Sequence, residues 1–192
     1  MTHEFVGVVV DPTVTRDTAH DAIASILAPY EETWDDDAEE REGWWDFWAV
    51  GGRWTGEWLP GYDPRTDPLN VDPRPCFICN GTGHRPDIGD TDRQEYIAWC
   101  GGCNGCQGKG HQVKWPTQWR PIAEDCLLVQ RFLDDAELWS PRRLVLPDSP
   151  GLSRDDYAGD HSYDRDRGWD RIVREALAPF AGASIVIVDV HV

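Results

Sequence analysis

The sequence predicts an α+β fold in which the N- and C-terminal strands form one small sheet covered by two helices. Three observations lead to this expectation. An apolar, β-branched run stands near each end of the 192-residue chain, a stretch with helical spacing adjoins each run, and five of the six cysteines are confined to a short segment between them. We therefore expect a core domain at residues 1–72 and 112–192 and an inserted module at residues 73–111.

The chain begins with a strand and a helix. The run Phe5–Val10 is continuously apolar and a proline follows it closely, which is typical of a strand buried on both faces. Thr15 or Asp17 is expected to cap a helix that continues to about Ala28, where Pro29 closes it.

The end of the chain has the reverse order. Apolar residues at helical spacing predict a helix over Trp169–Phe180, and Ile185–Val188 is typical of a second fully apolar strand. Because a strand and a helix open the chain and a helix and a strand close it, we expect the two strands to share one sheet. Both helices are expected to cover a face of that sheet.

The segments between these ends are less regular. Glu31–Glu42 holds eight acidic residues and one arginine, so we interpret it as a solvated loop or frayed helix end, with mimicry of nucleic acid as the alternative. Gly43–Leu59 is predicted to form two short aromatic strands around a Gly-Gly hairpin turn. Pro60–Pro75 indicates a stiff connector and Asp148–Asp166 a surface loop.

Charge and hydropathy exclude several classes of protein. The chain carries 35 acidic and 18 basic side chains, a net charge of −17, which argues against nonspecific binding to a nucleic-acid backbone. No run of 18 apolar residues occurs, so no membrane span is expected, and the first residues lack the features of a secretory signal. We expect a cytoplasmic protein.

Two cysteine segments repeat one another. Cys76–His84 and Cys103–His111 both read Cys-x-x-Cys-x-Gly-x-Gly-His, and every matched position is offset by 27 residues. Two cysteines three positions apart in a tight turn can both bind one Zn²⁺, and two such turns complete a tetrahedral shell of four thiolates. The glycines are expected to adopt positive φ and so bring amide groups to the sulfurs.

We therefore predict one zinc ion with a structural role, since a shell of four thiolates leaves no position open for a substrate. The predicted ligands are Cys76, Cys79, Cys103 and Cys106.

The paired Cys-x-x-Cys-x-Gly-x-Gly pattern resembles the cysteine-rich zinc domain of the DnaJ co-chaperone family. The matched positions are Cys76, Cys79, Gly81 and Gly83, and then Cys103, Cys106, Gly108 and Gly110. That family carries four such repeats and two zinc ions, so the resemblance implies one zinc ion for the two repeats of this chain. It covers about 35 of the 192 residues, and no His-Pro-Asp of a J-domain occurs, so it implies a zinc hairpin only.

Alternatives stay open for the other cysteines and for the two repeat histidines. Cys100 also forms a Cys-x-x-Cys with Cys103, but the glycine pattern favours Cys103 as the ligand and leaves Cys100 as a spare thiol. Cys126 stands in an apolar run and is expected in the core. His84 and His111 are either groups that support the metal ligands or exposed residues of the hairpin.

A tryptophan-rich segment around Gly51-Gly52 is the candidate ligand site, with polar residues of the last strand beside it. Tryptophan rings can stack on bases or sugars and an arginine can hold a phosphate or carboxylate, whereas core packing is the alternative role for these aromatics. Residues 189 and 191 stand two apart on a strand and therefore share a face, where a small polar site could form. The candidate residues are Trp45, Asp46, Trp48, Arg53, Trp54, Asp189 and His191.

The same segments resemble an uncharacterised family found in bacteriophage and prophage genomes. Members of that family carry a Trp-Asp-Trp/Tyr-x-x-Gly-Gly-Arg-Trp element, begin with an apolar strand and end near Val-Asp-x-His. The matches here are Trp45-Asp46, Gly51-Gly52-Arg53-Trp54 and Val188-Asp189-Val190-His191. The resemblance implies a phage-type accessory protein in the host cytoplasm, with the cysteine module inserted between its halves.

Three functional hypotheses follow. The one we favour is a non-enzymatic, zinc-containing binding protein, a phage-encoded accessory or host-modulating factor whose Trp/Arg hairpin engages a protein partner or a nucleotide-like ligand. The second is a small hydrolase of a phosphorylated or nucleotide-like substrate that uses four polar residues, Asp46, Arg53, Asp189 and His191. The third is a thiol-dependent redox or chaperone-like factor with Cys100 as the attacking thiol. The sequence has no nucleophile elbow, phosphate-binding loop or two-histidine metalloprotease motif.

Overall fold

The structure of the protein is a computed structural model that describes residues 3–32, 43–87, 102–106, 108–147, 149, 151–156 and 163–192. The chain divides into two compact units, of which the first comprises Met1–Tyr62 and Arg120–Val192 and the second Asp63–Trp119. The second unit contains the whole of residues 73–111 and extends on both sides of it. The flanking segments are bonded to each other there, since the N–H of Lys114 donates to the carbonyl oxygen of Asn70 at 3.0 Å.

The helices and strands are short except at the two ends of the chain. In chain order they are β1 (His3–Val10), α1 (Ala19–Leu27), β2 (Phe47–Val50), β3 (Val71–Pro75), β4 (His111–Val113), β5 (Cys126–Leu128), α2 (Val129–Asp134), β6 (Arg143–Val145), β7 (Leu152–Ser153), α3 (Tyr163–Leu177) and β8 (Ser184–His191). The predicted mixture of helices and strands with a main sheet is confirmed.

The main sheet lies in the first unit and is built around the two terminal strands. Its order is β2-β8-β1-β6-β7, and β5 also pairs with β8. β1 and β8 are antiparallel and in register over their full length, from His3 opposite His191 to Val10 opposite Ser184. β1 and β6 are parallel, so the sheet is mixed. In the second unit, β3 and β4 form a separate two-stranded sheet.

Different helices pack against the two faces of the main sheet. On one face Val188 packs in a cluster with Ile23 and Leu27 of α1. On the other face Ile187 packs in a cluster with Leu177 of α3. Successive side chains of a strand point to opposite faces, and both central strands are apolar on both faces, so each face needs its own cover.

The ends of the helices differ from the predicted ones. α1 has Thr18 at its N-cap, without a side-chain capping bond, so neither Thr15 nor Asp17 caps it. The Thr18 hydroxyl instead accepts a hydrogen bond from the N–H of Thr15 at 3.0 Å. α3 begins at Tyr163, and β7 also falls in the segment Asp148–Asp166, so a surface loop is wrong for those parts of it.

The predicted aromatic hairpin at Gly43–Leu59 is also wrong. Only Phe47–Val50 is a strand there, and it pairs with β8 rather than with a partner across the glycines. The N–H of Gly51 donates to the carbonyl oxygen of Ile187 at 2.8 Å and continues this pairing. The long apolar strand β8 offers four paired positions, so long-range pairing replaces the local turn.

The predicted connector lies within the described residues, whereas most of the acidic segment does not. Pro60–Pro75, predicted as a connector, ends in β3. Of the acidic segment Glu31–Glu42, residues 33–42 lie outside the described residues, so neither of its interpretations is tested.

Candidate metal centre

Four cysteine sulfurs converge in the second unit. They belong to Cys76, Cys79, Cys103 and Cys106, all lie within 4.8 Å of one another, and each residue is at most 1% exposed. Two of the Sγ–Sγ distances are 3.9 Å (Cys76 to Cys103) and 3.6 Å (Cys79 to Cys106). Around an ion with metal–sulfur bonds of about 2.3 Å, a tetrahedron places its sulfurs about 3.8 Å apart. The four thiols could therefore hold one metal ion.

The two cysteine repeats complete each other's turns. The N–H of Cys76 donates to the carbonyl oxygen of Gly110 at 2.9 Å, and the N–H of Cys103 donates to the carbonyl oxygen of Gly83 at 2.7 Å. Each of these bonds joins the first cysteine of one repeat to the last glycine of the other. The 27-residue offset in the sequence therefore corresponds to a local twofold arrangement of the two turns.

Glycine is required where the two repeats cross. Gly83 and Gly110 have φ angles of 76° and 77°, as the sequence predicts. A Cβ on Gly83 would lie 2.4 Å from the carbonyl oxygen of Gly108, and a Cβ on Gly110 would lie 2.5 Å from that of Gly81. A side chain at either position would push the two turns apart and with them the sulfurs.

Amide groups are directed at two of the sulfurs. The N–H of Gly83 lies 3.3 Å from Cys79 Sγ, and the N–H of Gly110 lies 3.2 Å from Cys106 Sγ. Burial raises the pKa of Cys106 to about 12. Burial also acts to raise the pKa of Cys79, but the Gly83 amide and the neighbouring thiols outweigh it and lower that pKa to about 7. The lowered pKa favours the thiolate of Cys79, the form that binds a metal.

Neither repeat histidine joins the four sulfurs. His84 is exposed and His111 is half-buried in β4. The residue that stands out is Phe77, which lies between two buried cysteines in sequence and is 77% exposed. The repeat pattern contained no signal for it, because position 77 is a variable position of Cys-x-x-Cys.

Cys126, the other cysteine that the structure describes, is not one of the four clustered thiols. Cys126 is half-buried, its thiol donates to the carbonyl oxygen of Val14 at 3.4 Å, and burial raises its pKa. Cys100, the candidate spare or attacking thiol, lies outside the described residues.

The tryptophans of the predicted ligand platform pack in or against the hydrophobic clusters of the main sheet. Trp45 is 7% exposed, and its indole N–H donates to the carbonyl oxygen of Leu27 at 3.0 Å. The Trp54 ring stacks on Phe5 at a centroid distance of 5.6 Å. Trp48 is half-buried and packs in the same cluster as Trp45. Trp45 and Trp54 belong to the clusters on opposite faces of the sheet, so they cannot form one stacking surface.

The polar candidates are brought together, and a histidine that the sequence did not single out joins them. Asp189 is fully buried, and its carboxylate accepts a 2.9 Å hydrogen bond from the N–H of Arg53. His3 Nδ1 lies 2.8 Å from Asp189 Oδ1, and His191 Nδ1 lies 2.5 Å from Asp46 Oδ1. The Arg53 side chain is exposed, and no carboxylate pairs with it among the described residues. The local sequence contains no signal for His3, because its place opposite His191 depends on the register of two distant strands.

No known protein family matches this chain, and neither the curated proteins nor the solved structures gave a match. Among the described residues, none of the helices combines the length and the apolar character needed to cross a lipid bilayer.

Proposed function

We propose that this chain is a zinc-containing, non-enzymatic binding protein whose second unit, residues 63–119, contacts a protein partner. The observation that carries the proposal is the closed set of four buried thiols. Four protein ligands saturate a tetrahedral ion, so no position is left for a substrate or a reactive water. The ion would therefore stabilise a surface rather than perform chemistry.

The donor set supports zinc as the ion. Soft thiolate ligands in tetrahedral geometry favour Zn²⁺ or iron over hard cations such as Mg²⁺ and Ca²⁺. The Gly83 and Gly110 amides directed at two sulfurs would neutralise part of the thiolate charge on the ion. Zinc has no redox chemistry of its own, which suits a structural role. A reducing cytoplasm, which we also propose as the location, would keep the thiols available.

Exposed aromatic side chains support the partner-binding role of residues 63–119. Phe77 is 77% exposed and Trp115 is 72% exposed. Seven acidic and six basic residues lie between positions 63 and 119, so most of the net charge of −17 lies elsewhere in the chain. Aromatic residues on a nearly neutral surface are typical anchors of protein interfaces.

The phage-type accessory or host-modulating role remains part of this proposal. Its support is that the two short elements of the resemblance are in contact, since the N–H of Arg53 binds the Asp189 carboxylate. Trp45 lies in the core, but the exposed Arg53 could still reach a nucleotide-like ligand. The redox alternative depends on Cys100, outside the described residues. The hydrolase alternative depends on Asp46, Arg53, Asp189 and His191.

The metal is tested by native mass spectrometry and elemental analysis of desalted protein. We expect one tightly bound zinc ion per chain in the wild type and in Cys126→Ser, whose thiol is outside the cluster, and none in Cys79→Ser. Iron in place of zinc, or full zinc retention by Cys79→Ser, contradicts the proposal.

The partner surface is tested by affinity capture from the natural host with three zinc-loaded proteins. The wild type and Phe47→Ser, a matched change at the 45% exposed Phe47 of the first unit, are expected to retain the same partner. Phe77→Ser is expected to lose it. Equal capture by all three proteins would show that residues 63–119 do not present the contact through Phe77.

A further inference from the structure

Two histidines of the first unit stand side by side on the main sheet. His3 and His191 are directly opposite each other in the β1–β8 pair. Their ring centroids are 5.1 Å apart. Side chains of opposite residues in antiparallel strands point to the same face, so both imidazoles stand on one side of the sheet.

Each imidazole is bonded to a carboxylate of its own. His3 Nδ1 lies 2.8 Å from Asp189 Oδ1, and His191 Nδ1 lies 2.5 Å from Asp46 Oδ1. An ionised carboxylate only accepts hydrogen bonds, so each Nδ1 carries the proton and donates it. In the neutral ring the Nε2 atom then keeps its lone pair, and neither Nε2 has a hydrogen-bond partner in the part of the chain that the structure describes.

This arrangement prepares a histidine for metal binding. A carboxylate on one ring nitrogen fixes the tautomer, orients the ring and makes the other nitrogen a better donor to a metal. The side chains of His3 and His191 are 19% and 17% exposed, so an ion in solution can reach them. Asp189 is fully buried and is also held by the N–H of Arg53, so its hold on His3 is rigid.

The charge of the first unit favours a cation. Residues 1–62 and 120–192 contain 28 acidic and 12 basic side chains, and such an excess raises the local concentration of cations. Imidazole nitrogen is a ligand of intermediate softness that suits Zn²⁺, Ni²⁺ and Cu²⁺.

We propose that His3 and His191 bind a divalent transition-metal ion through their Nε2 atoms, with water in its remaining coordination positions. This site differs from the four-cysteine cluster in kind. It has two protein ligands instead of four, so the ion exchanges with solvent and can accept a further ligand group. The proposal does not depend on the function proposed for residues 63–119.

The first test uses the full-length chain with its cysteine site already filled with zinc. Titration with Ni²⁺, followed by calorimetry, is expected to show one additional ion per chain. His3→Ala and His191→Ala should each weaken this binding at least tenfold, and Asp46→Asn should weaken it about 10- to 100-fold because the carboxylate no longer orients the ring. His20→Ala is the matched control, since His20 is an exposed histidine with a neighbouring carboxylate at 3.5 Å, and it should change nothing.

A second measurement needs no variant and so does not depend on the mutants folding. Long-range ¹H–¹⁵N spectra of the wild type should show both rings protonated at Nδ1, and added Zn²⁺ should shift the Nε2 signals of His3 and His191 in one common titration. Undiminished Ni²⁺ binding by both histidine variants, or a shift of only one Nε2, would overturn the proposal. Zinc retained by the cysteine cluster is measured in the same samples, so loss of that site is recognised separately.

Discussion

The backbone N–H of Arg53 donates a 2.9 Å hydrogen bond to Oδ2 of Asp189, a fully buried carboxylate 136 residues further along the chain. Gly52 allows this contact, because its φ angle is 55° and a Cβ there would lie 2.3 Å from Cβ of Asp189. The two consecutive glycines therefore let a 3₁₀ turn, Gly52–Trp54, approach β8 closely. They do not turn a hairpin.

Gly52→Ala is expected to lower the free energy of unfolding by roughly 3 kcal/mol, the sum of left-handed backbone strain and overlap with Asp189. Urea unfolding of the zinc-loaded protein measures the loss. Gly61→Ala is the control for the backbone alone, since Gly61 has a φ of 79° and nothing within 4 Å, and it should cost about 1 kcal/mol. Equal losses in the two variants would show that the approach to Asp189 carries no strain.

The glycines of the cysteine repeats should differ sharply in their effect on metal affinity. Gly83→Ala places a Cβ 2.4 Å from the carbonyl oxygen of Gly108, whereas at Gly81, with a similar φ, the nearest atom would be 3.5 Å away. We expect Gly83→Ala to weaken metal binding at least tenfold more than Gly81→Ala, because only the former separates the two turns. Competition with a chromogenic chelator gives the metal affinities of both variants. Similar affinities would show that close contact between the two cysteine turns does not determine metal binding.

Removal of the metal should loosen the second unit without opening the main sheet. The four thiols form the buried cluster of that unit, and metal binding at such sites contributes directly to folding. After treatment with a chelator, hydrogen exchange is expected to accelerate at the amides of Cys76 and Cys103. The amides of β1 and β8 should keep their protection, since their clusters contain no ligand cysteine. Uniform acceleration across the chain would contradict this independence.

Asp125 should make the stability depend on pH. It is 1% exposed, accepts hydrogen bonds from the N–H groups of Gly56 (2.7 Å) and Ile122 (2.9 Å), and burial raises its pKa from 3.8 to about 6. The folded state therefore binds more protons than the unfolded state between these values, and the contribution of Asp125 to stability falls as pH rises. Relative to Asp125→Asn, the wild type is expected to lose about 2 kcal/mol of unfolding free energy between pH 4.5 and pH 7.

Unfolding curves of the two proteins at both pH values test this expectation. The metal site is common to both, so its own acid sensitivity cancels in the comparison. A stability difference that does not change with pH, or that changes in the opposite direction, would mean that burial does not raise the pKa of Asp125.

The sequence predicts those parts of the fold in which a single pattern, such as a continuous apolar run, extends over many residues. The uninterrupted apolar run Phe5–Val10 lies in β1, and Ile185–Val188 lies in β8. The cysteine cluster was predictable for a similar reason, because metal geometry requires a fixed spacing and the offset of 27 repeats that spacing.

The other parts of the fold and of the candidate site depend on contacts between segments that are far apart in the sequence. β6 and β7 have three and two residues, which is too short for any periodicity to be recognised. A tryptophan suits a ligand platform and a hydrophobic core equally well. Only packing against α1 shows that Trp45 belongs to the core. His3 acquires significance solely from its register with His191, which the local sequence does not contain.

The exchange of backbone bonds between the cysteine repeats bears on their origin. Each repeat provides the carbonyl group that completes the other, so a nine-residue peptide of either one would form neither of these bonds. Two copies of a single repeat, however, could satisfy each other around one ion in the same way. The present arrangement has the backbone geometry of a metal-bridged homodimer within one polypeptide, which is what duplication of a single repeat would produce.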